Sequence, residues 1–174
     1  MRSAPRLSLL GASLVVVAGA ALLAQAAVGS RTATPNCTAS QLKGKLLDSQ
    51  GAAGTILFSV MLKNSGDACS LKGYPSLRLK GALGLLPTHV VHGGLAVLSS
   101  TPKLVKLKHL GRASVLVYYG DVPVGSESSC PHGKAIRLRP PGASGWLTIG
   151  VSTNACGRGT LHESPVLAGV QHAA

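Results

Sequence analysis

The stretch CSLKGYPSLRLK, residues 69–80, decides the fold class of this chain. In its second half the apolar Leu77 and Leu79 alternate with the charged Arg78 and Lys80. Successive side chains of a β-strand point to opposite faces, so this pattern predicts a strand with one buried and one solvated face. The Gly-Tyr-Pro corner before it suits a turn, because glycine tolerates a positive φ and proline begins a strand without needing a donor.

The same alternation recurs along the chain at intervals of roughly ten residues, which is typical of sandwiches and barrels. Residues 81–100, rich in Gly and Leu, predict a long crossover loop that holds one weak strand and suits a Greek-key connection. We therefore expect an all-β fold, an immunoglobulin-like antiparallel β-sandwich with Greek-key connections, and expect Trp146 to fill its core. The predicted strands cover residues 55–63, 76–80, 103–109, 112–119, 134–139, 146–151 and 159–166.

The first 26 residues predict a cleavable signal peptide. Two early arginines precede an apolar run from Leu7 to Leu23, and the run ends in the small-x-small sequence Ala24-Gln25-Ala26. This order of charge, apolar core and cleavage site is the secretory pattern. The run is short for a membrane span of about 20 residues, although retention as an anchor is the alternative. We therefore expect a secreted or extracytoplasmic protein without a stable membrane span after cleavage near Ala26.

The rest of the chain divides into three parts. Residues 27–36 are small and polar and predict a short tether. Residues 37–168 have the length of a single domain, here a β-sandwich. Residues 169–174 are expected to form a C-terminal tail.

Four cysteines predict two disulfides in the oxidising space outside the membrane. Three pairings are possible, and we favour Cys37 with Cys69 and Cys130 with Cys156, since each pair bridges one contiguous half of the domain. A zinc site is disfavoured because the sequence contains no Cys-x-x-Cys spacing. No cofactor is predicted.

The charge is strongly basic. Beyond residue 26 the chain keeps 15 of its 17 Lys and Arg residues and all five acids, a net charge of +10. Such a surface attracts anionic envelope polymers, although basic residues scattered on outward strand faces can also serve solubility alone. Nucleic acid is a poor fit, because aromatic residues for base stacking are scarce and the compartment is wrong. A protein partner is the alternative to an anionic polymer. The candidate patch for an anionic partner comprises Lys72, Arg78, Lys80, Lys106, Lys108, Arg137 and Arg139.

Catalytic motifs are missing from the sequence. It contains no nucleophile elbow, metalloprotease helix, phosphate-binding loop or dinucleotide fingerprint. His89 and His92 are three residues apart, but in a strand this spacing places the rings on opposite faces, which disfavours a shared metal. We therefore predict a non-catalytic binding or structural module. The alternative is a small exported hydrolase whose site gathers His89 or His92 with an acid and a nucleophile from distant segments.

The order of these elements resembles a known family. The carrying residues are Cys37-Thr38-Ala39-Ser40-Gln41-Leu42, the stretch from Ala68 to Pro75 with its Cys-x-Leu-x-Gly-Tyr-Pro element, Gly111-Arg112-Ala113, Cys130, and Ala155-Cys156-Gly157. The chain resembles, over residues 37–166, the domain of unknown function family 4232 of secreted and lipid-anchored actinobacterial proteins. The resemblance implies an immunoglobulin-like sandwich, two disulfides in sequential pairs and an extracytoplasmic location. It implies no activity and no functional residues.

Overall fold

A long hairpin begins the domain. In the computed structural model, which describes residues 33–173, strand β1 (Leu42–Ala52) pairs antiparallel with β2 (Thr55–Asn64). Ala53 and Gly54 connect them, both with positive φ, 49° and 76°. This is the primed two-residue turn whose twist matches that of paired strands. The predicted signal peptide, residues 1–26, and most of the predicted tether lie outside the described residues.

The hairpin forms one side of a large sheet. Strand β7 (Arg112–Gly120) pairs along the whole of β2, and the sheet continues through β10 (Thr160–Glu163) to β5 (His89–His92). The short β11 (Leu167–Ala168) also pairs with β7. All pairings are antiparallel except that of β10 with β5, which is parallel. The predicted weak strand within residues 81–100 is therefore β5, and it forms an edge of this sheet.

Two smaller sheets complete the described domain. Strands β4 (Ser76–Lys80), β8 (His132–Arg139) and β9 (Leu147–Asn154) form an antiparallel sheet with β8 in the middle. Strands β3 (Cys69–Leu71) and β6 (Val105–Leu107) form a two-stranded antiparallel sheet. Short 3-10 turns lie at Ala39–Gln41 and Ala96–Leu98, and a helical turn at Cys156–Gly159 precedes β10. The prediction of an all-β domain is confirmed.

The core lies where the apolar faces of these sheets meet. The inward residues of β4, β6 and β9 alternate with exposed neighbours, as the sequence pattern predicted, whereas β7 is buried on both faces from Ala113 to Val117. The contact is close, since a methyl group added to Gly44 of β1 would lie 2.6 Å from a side-chain carbon of Ile149 in β9. The fully buried side chains of this core include Phe58, Val60, Leu62, Leu71, Leu79, Val115, Ile136, Leu138 and Leu161.

Both predicted disulfides are present. Cys37 is bonded to Cys69 and Cys130 to Cys156. The first bridge is fully buried and fixes the start of the domain to β3, whereas Cys130 in the second is partly exposed. The sequential pairing favoured from the sequence is therefore confirmed.

The C-terminal residues lie against the outer surface of the large sheet. Ser114 of β7 donates to the Gly169 carbonyl at 2.9 Å and accepts a hydrogen bond from the Gln171 amide at 3.0 Å. The Ala173 amide donates to the Asp48 carboxylate at 3.0 Å, and Ala173 is buried. Residues 169–173, expected as a tail, thus cover buried polar side chains of the sheet.

The expectation for Trp146 is wrong. Its side chain is half-buried and belongs to the outer face of the β4-β8-β9 sheet. The neighbouring Leu147 pairs with the inward Leu138, so the residue before it points outward.

Candidate functional site

Three arginines surround Trp146 on the outer face of the β4-β8-β9 sheet. The guanidinium carbons of Arg78, Arg137 and Arg139 lie 5.0, 5.2 and 5.1 Å from the centroid of the Trp146 ring. A guanidinium within about 6 Å of an indole centroid is attracted by the ring quadrupole. These four residues are called the Trp146 cluster below.

The strand register assembles the Trp146 cluster. Arg137 of the central strand β8 stands directly opposite Arg78 of β4, and Arg139 stands opposite Ser76. Nη2 of Arg139 donates a hydrogen bond of 3.1 Å to Oγ of Ser76, which orients its guanidinium. The residues that alternate with the arginines in β4 and β8 are buried in the core. The arginine side chains must therefore point to the opposite, outer face of the sheet.

The cluster has no acidic counterpart on its own sheet. None of the five acids of the chain lies in β4, β8 or β9. Asp48 is held by the Ala173 amide and His172, Glu127 by two loop amides, and Glu163 is buried in β10. Within residues 33–173 the two salt bridges both involve histidine, so no arginine or lysine there is paired with a carboxylate. The positive charge of the cluster is therefore uncompensated by the described protein.

A shallow depression adjoins the cluster. It has a volume of about 440 Å3, and Trp146 forms part of its wall. The other residues that line the depression have small side chains or, in glycine, none: Thr38, Ala39, Ser40, Ser144 and Gly145. Thr38 and Ser40 hold each other through a 3.0 Å contact between their hydroxyl oxygens. An aromatic wall, hydroxyl groups and nearby guanidiniums thus lie together on one surface.

The structure divides the candidate basic patch between two sheets. Arg78, Lys80, Arg137 and Arg139 share the outer face of β4 and β8. Lys106 lies instead on β6 opposite Ser70 of β3, with Lys72 and Lys108 just beyond those short strands. The sequence also carried an unused signal for Trp146, because the inward series Leu147, Ile149 and Val151 assigns residue 146 to the face of the arginines.

A second group of polar side chains lies at the end of β5 and β10. Nε2 of His92 is 3.4 Å from Oε1 of Glu163, and the His92 ring stacks on Tyr74 with centroids 3.9 Å apart. Glu163 is fully buried, and neither of its carboxyl oxygens has a hydrogen-bond partner among the described residues. Burial raises the pKa of Glu163 to about 8. His89, at the other end of β5, stands opposite Thr160 and does not join this group.

The third polar site is a loop anchor. The carboxylate of Glu127 accepts hydrogen bonds from the amides of Gly157 and Arg158 at 2.8 and 3.1 Å. These two bonds hold the pKa of Glu127 below its ordinary value. The sulfur atoms of Cys130 and Cys156 lie close to this carboxylate, but both are committed to the disulfide and are not free thiolate ligands for a metal. The Glu127 site therefore has a structural role, because its carboxylate holds the loop amides in place.

These observations define the class of protein: a small, disulfide-bridged, all-β domain with a cluster of arginines and one tryptophan on an outer sheet face. Residues 37–166 match the family described as "Domain of unknown function (DUF4232)", and the chain belongs to this family. No curated protein and no solved structure matches the chain. The described residues include no helix with the length and apolar character needed to cross a bilayer.

Proposed function

We propose that this protein is an exported, non-catalytic domain that binds an anionic polymer of the cell envelope through the Trp146 cluster. The observation that carries the proposal is the convergence of three guanidiniums on one indole ring without any carboxylate on the same sheet. Like charges directly opposite each other on neighbouring strands are destabilising. A bound polyanion would neutralise the repulsion between the facing arginines. Binding of such a ligand would therefore explain why the free domain keeps this destabilising arrangement.

The compartment is part of the same proposal. The signal-peptide pattern of residues 1–26 supports export, and two disulfides suit an oxidising space. We infer further that the large sheet and the β4-β8-β9 sheet form an immunoglobulin-like sandwich with Greek-key connections. The shared core between the sheets and the long connection from β4 through β5 and β6 to β7 support this topology.

Salt-dependent binding to heparin, a soluble polyanion, tests the proposed function. We expect the affinity to fall steeply as NaCl is raised from 50 to 300 mM, because counterions compete for exposed cations. The double variant R78A/R137A should lose at least tenfold in affinity at low salt. The matched control is K106A/K108A, which removes the same charge from the region of β6 and should lose less than threefold.

Equal losses in the two double variants would contradict the proposal, since diffuse net charge would then explain the binding. Absence of binding by the unmodified protein at 50 mM salt would also overturn it. Circular dichroism of each variant should match that of the unmodified protein, because Arg78, Lys106 and Lys108 are exposed and the half-buried Arg137 lies on the outer face of its sheet.

A second candidate function is hydrolysis, favoured by the contact between His92 and Glu163. Where the Glu163 carboxyl group is ionised, above about pH 8, it can orient the His92 ring as a general base for a serine nucleophile. His92 lines a depression of about 340 Å3 together with Ser99 and Ser100. The test is labelling with a fluorophosphonate probe followed by peptide mass spectrometry. A label on Ser99 or Ser100 that is lost in His92→Ala would support this candidate, and an unlabelled protein would contradict it.

A further inference from the structure

We propose that the Trp146 cluster selects saccharides that carry phosphate monoesters, with the phosphate among the three guanidiniums and the sugar against Trp146. The inference rests on the proposed function and adds the chemical class of the ligand. The charge count is its first basis: three cations converge on a single ring, and no acid on their sheet reduces their charge.

The distances between the guanidiniums favour one compact, multiply charged anion. Each guanidinium carbon lies at most 5.2 Å from the same ring centroid. All three are therefore within about one Debye length of each other, about 10 Å at 0.1 M salt, and repel one another. Widely spaced single charges on a polymer would meet them one at a time, so the proposed polymer should carry groups with more than one negative charge. A single group with two negative charges meets them together.

Phosphate monoesters suit this arrangement better than carboxylates do. A carboxylate has one charge and two oxygens, which one bidentate arginine can satisfy. A phosphate monoester carries a charge of about −1.5 to −2 at neutral pH and offers three terminal oxygens. Arginine forks match phosphate geometry, and Arg139 is already oriented by its hydrogen bond to Ser76. The number of guanidiniums in the Trp146 cluster thus equals the number of terminal oxygens of a phosphate monoester.

The depression beside Trp146 supplies the contacts for a sugar ring. The Trp146 ring forms part of the wall of the depression, and the hydroxyls of Thr38, Ser40 and Ser144 can exchange hydrogen bonds with sugar hydroxyls. The volume of about 440 Å3 leaves room for one sugar ring against this open surface. A free inorganic phosphate would use the arginines but not this wall, so the intact sugar phosphate should bind more tightly.

The experiment uses the fluorescence of Trp146, the sole tryptophan of the chain, as a reporter within the site. The domain left by the predicted cleavage near Ala26, residues 27–174, is titrated with glucose 6-phosphate, glucuronate, glucose and inorganic phosphate. Glucuronate is the matched probe, because it has the same ring with a carboxylate in place of the phosphate-bearing carbon. We expect glucose 6-phosphate to bind at least tenfold more tightly than glucuronate and at least threefold more tightly than inorganic phosphate, with no response to glucose.

Variants assign the response to the cluster. Arg137→Ala should weaken glucose 6-phosphate binding at least tenfold, and Lys106→Ala should leave it unchanged. Calorimetry with Trp146→Ala measures the sugar contact without the fluorescent reporter, and the preference over inorganic phosphate should disappear. Vesicles containing phosphatidic acid present the same monoester on a lipid, and stronger binding to them than to glucose 6-phosphate would overturn the saccharide assignment.

Failure of this inference differs from failure of the proposed function. Glucuronate binding as tightly as glucose 6-phosphate, while heparin binding still depends on Arg78 and Arg137, would overturn the phosphate preference alone. Absence of a response to glucose 6-phosphate would also overturn the phosphate preference alone. Loss of cluster-dependent heparin binding would overturn both.

Discussion

Glu163 is a fully buried carboxyl group without a hydrogen-bond partner among the described residues. Its pKa of about 8, against an ordinary value of 4.5, results from desolvation, with His92 at 3.4 Å as its nearest polar partner. The folded state thus binds the proton more tightly than the unfolded chain does. The stability linked to this proton is complete below about pH 4.5 and is lost as the pH rises through about 8.

Glu163→Gln should remove this pH dependence. The amide keeps the shape of the protonated acid but cannot ionise, so the free energy of unfolding should stay level between pH 5 and 9. At pH 9 the variant should exceed the unmodified protein by up to about 5 kcal/mol, and at pH 4.5 the two should be similar. Urea unfolding over this pH range is the measurement. Glu127→Gln is the control, because that carboxylate titrates on the acid side, and parallel curves for Glu163→Gln and the unmodified protein would contradict the burial argument.

Glu127 is a second carboxyl group whose pKa is shifted by the fold, but its pKa is lowered and not raised. Its carboxylate is the acceptor for the amides of Gly157 and Arg158, residues that both have positive φ, 64° and 59°. Successive amides in such a conformation form an anion-binding concavity, and here the chain fills it with its own side chain. The stability from this contact is present above the ordinary carboxyl pKa and is lost as the pH falls through the lowered one.

Glu127→Ala should expose the two amides. We expect hydrogen exchange at Gly157 and Arg158 to accelerate at least tenfold at pH 7, because no other acceptor holds them among the described residues. Nuclear magnetic resonance measures both amides individually. Ser126→Ala is the neighbouring control and should leave them protected. Unchanged exchange in Glu127→Ala would show that the Cys130–Cys156 bridge alone fixes this loop.

At the scale of elements, the β1–β2 hairpin depends on its two-residue turn. Ala53 has a φ of 49°, a left-handed conformation that costs an alanine roughly 1–2 kcal/mol. Asparagine tolerates this conformation, and Asn-Gly is the preferred pair for such turns. Ala53→Asn should therefore raise the free energy of unfolding by about 0.5–1 kcal/mol.

The adjacent Gly54→Ala is the matched comparison. Gly54 has a φ of 76°, and an added methyl would lie 2.8 Å from a side-chain carbon of Val122. Gly54→Ala should lower the free energy of unfolding by more than about 1 kcal/mol. Urea unfolding measures both variants. A stabilising Gly54→Ala would contradict the turn geometry.

Strands were predictable from the sequence where apolar and polar residues alternate regularly. The pairing of strands that are distant in the sequence was not predictable. The alternating apolar residues placed β4 at its observed bounds and gave seven strand positions close to those found. β1 was missed, because its lysines, glycines and the bulge between Leu46 and Asp48 interrupt the period of two. The parallel pairing of β5 with β10 joins segments about 70 residues apart and has no local signal.

The same distinction applies to the candidate site. Arg78, Arg137 and Arg139 were predictable as outward residues from the alternation alone. Their neighbourhood was not, because it depends on β4 pairing with β8 across more than 50 residues of chain. Trp146 was assigned to the core by its size, although its place in the strand period indicated the outer face.

At the scale of the molecule, the two outer sheet faces differ. The large sheet is covered in part by residues 169–173, which bind Ser114 and Asp48. The β4-β8-β9 sheet presents the Trp146 cluster instead, with Arg78 and Arg139 exposed. If the proposed polyanion binds, we expect this asymmetry to direct it to the side of the Trp146 cluster.

The two disulfides should also differ in how they open. Cys37 and Cys69 are fully buried in the core, whereas Cys130 is partly exposed in a surface loop. Reductant reaches exposed bridges in the native state, but a buried bridge opens only when the protein unfolds. Under native conditions with dithiothreitol, Cys130–Cys156 should be reduced at least tenfold faster than Cys37–Cys69, as timed alkylation and peptide mass spectrometry would show.

Removing either bridge by paired alanine substitutions should lower the free energy of unfolding by about 3–4 kcal/mol, since the bridged residues are 32 and 26 positions apart. Both losses come mainly from the unfolded chain, so they should be similar even though the reduction rates differ. Urea unfolding of the two double variants makes this comparison. A much larger loss for Cys37→Ala/Cys69→Ala would mean that the buried bridge also stabilises the folded state through core packing, because its sulfur atoms would leave a cavity among apolar side chains.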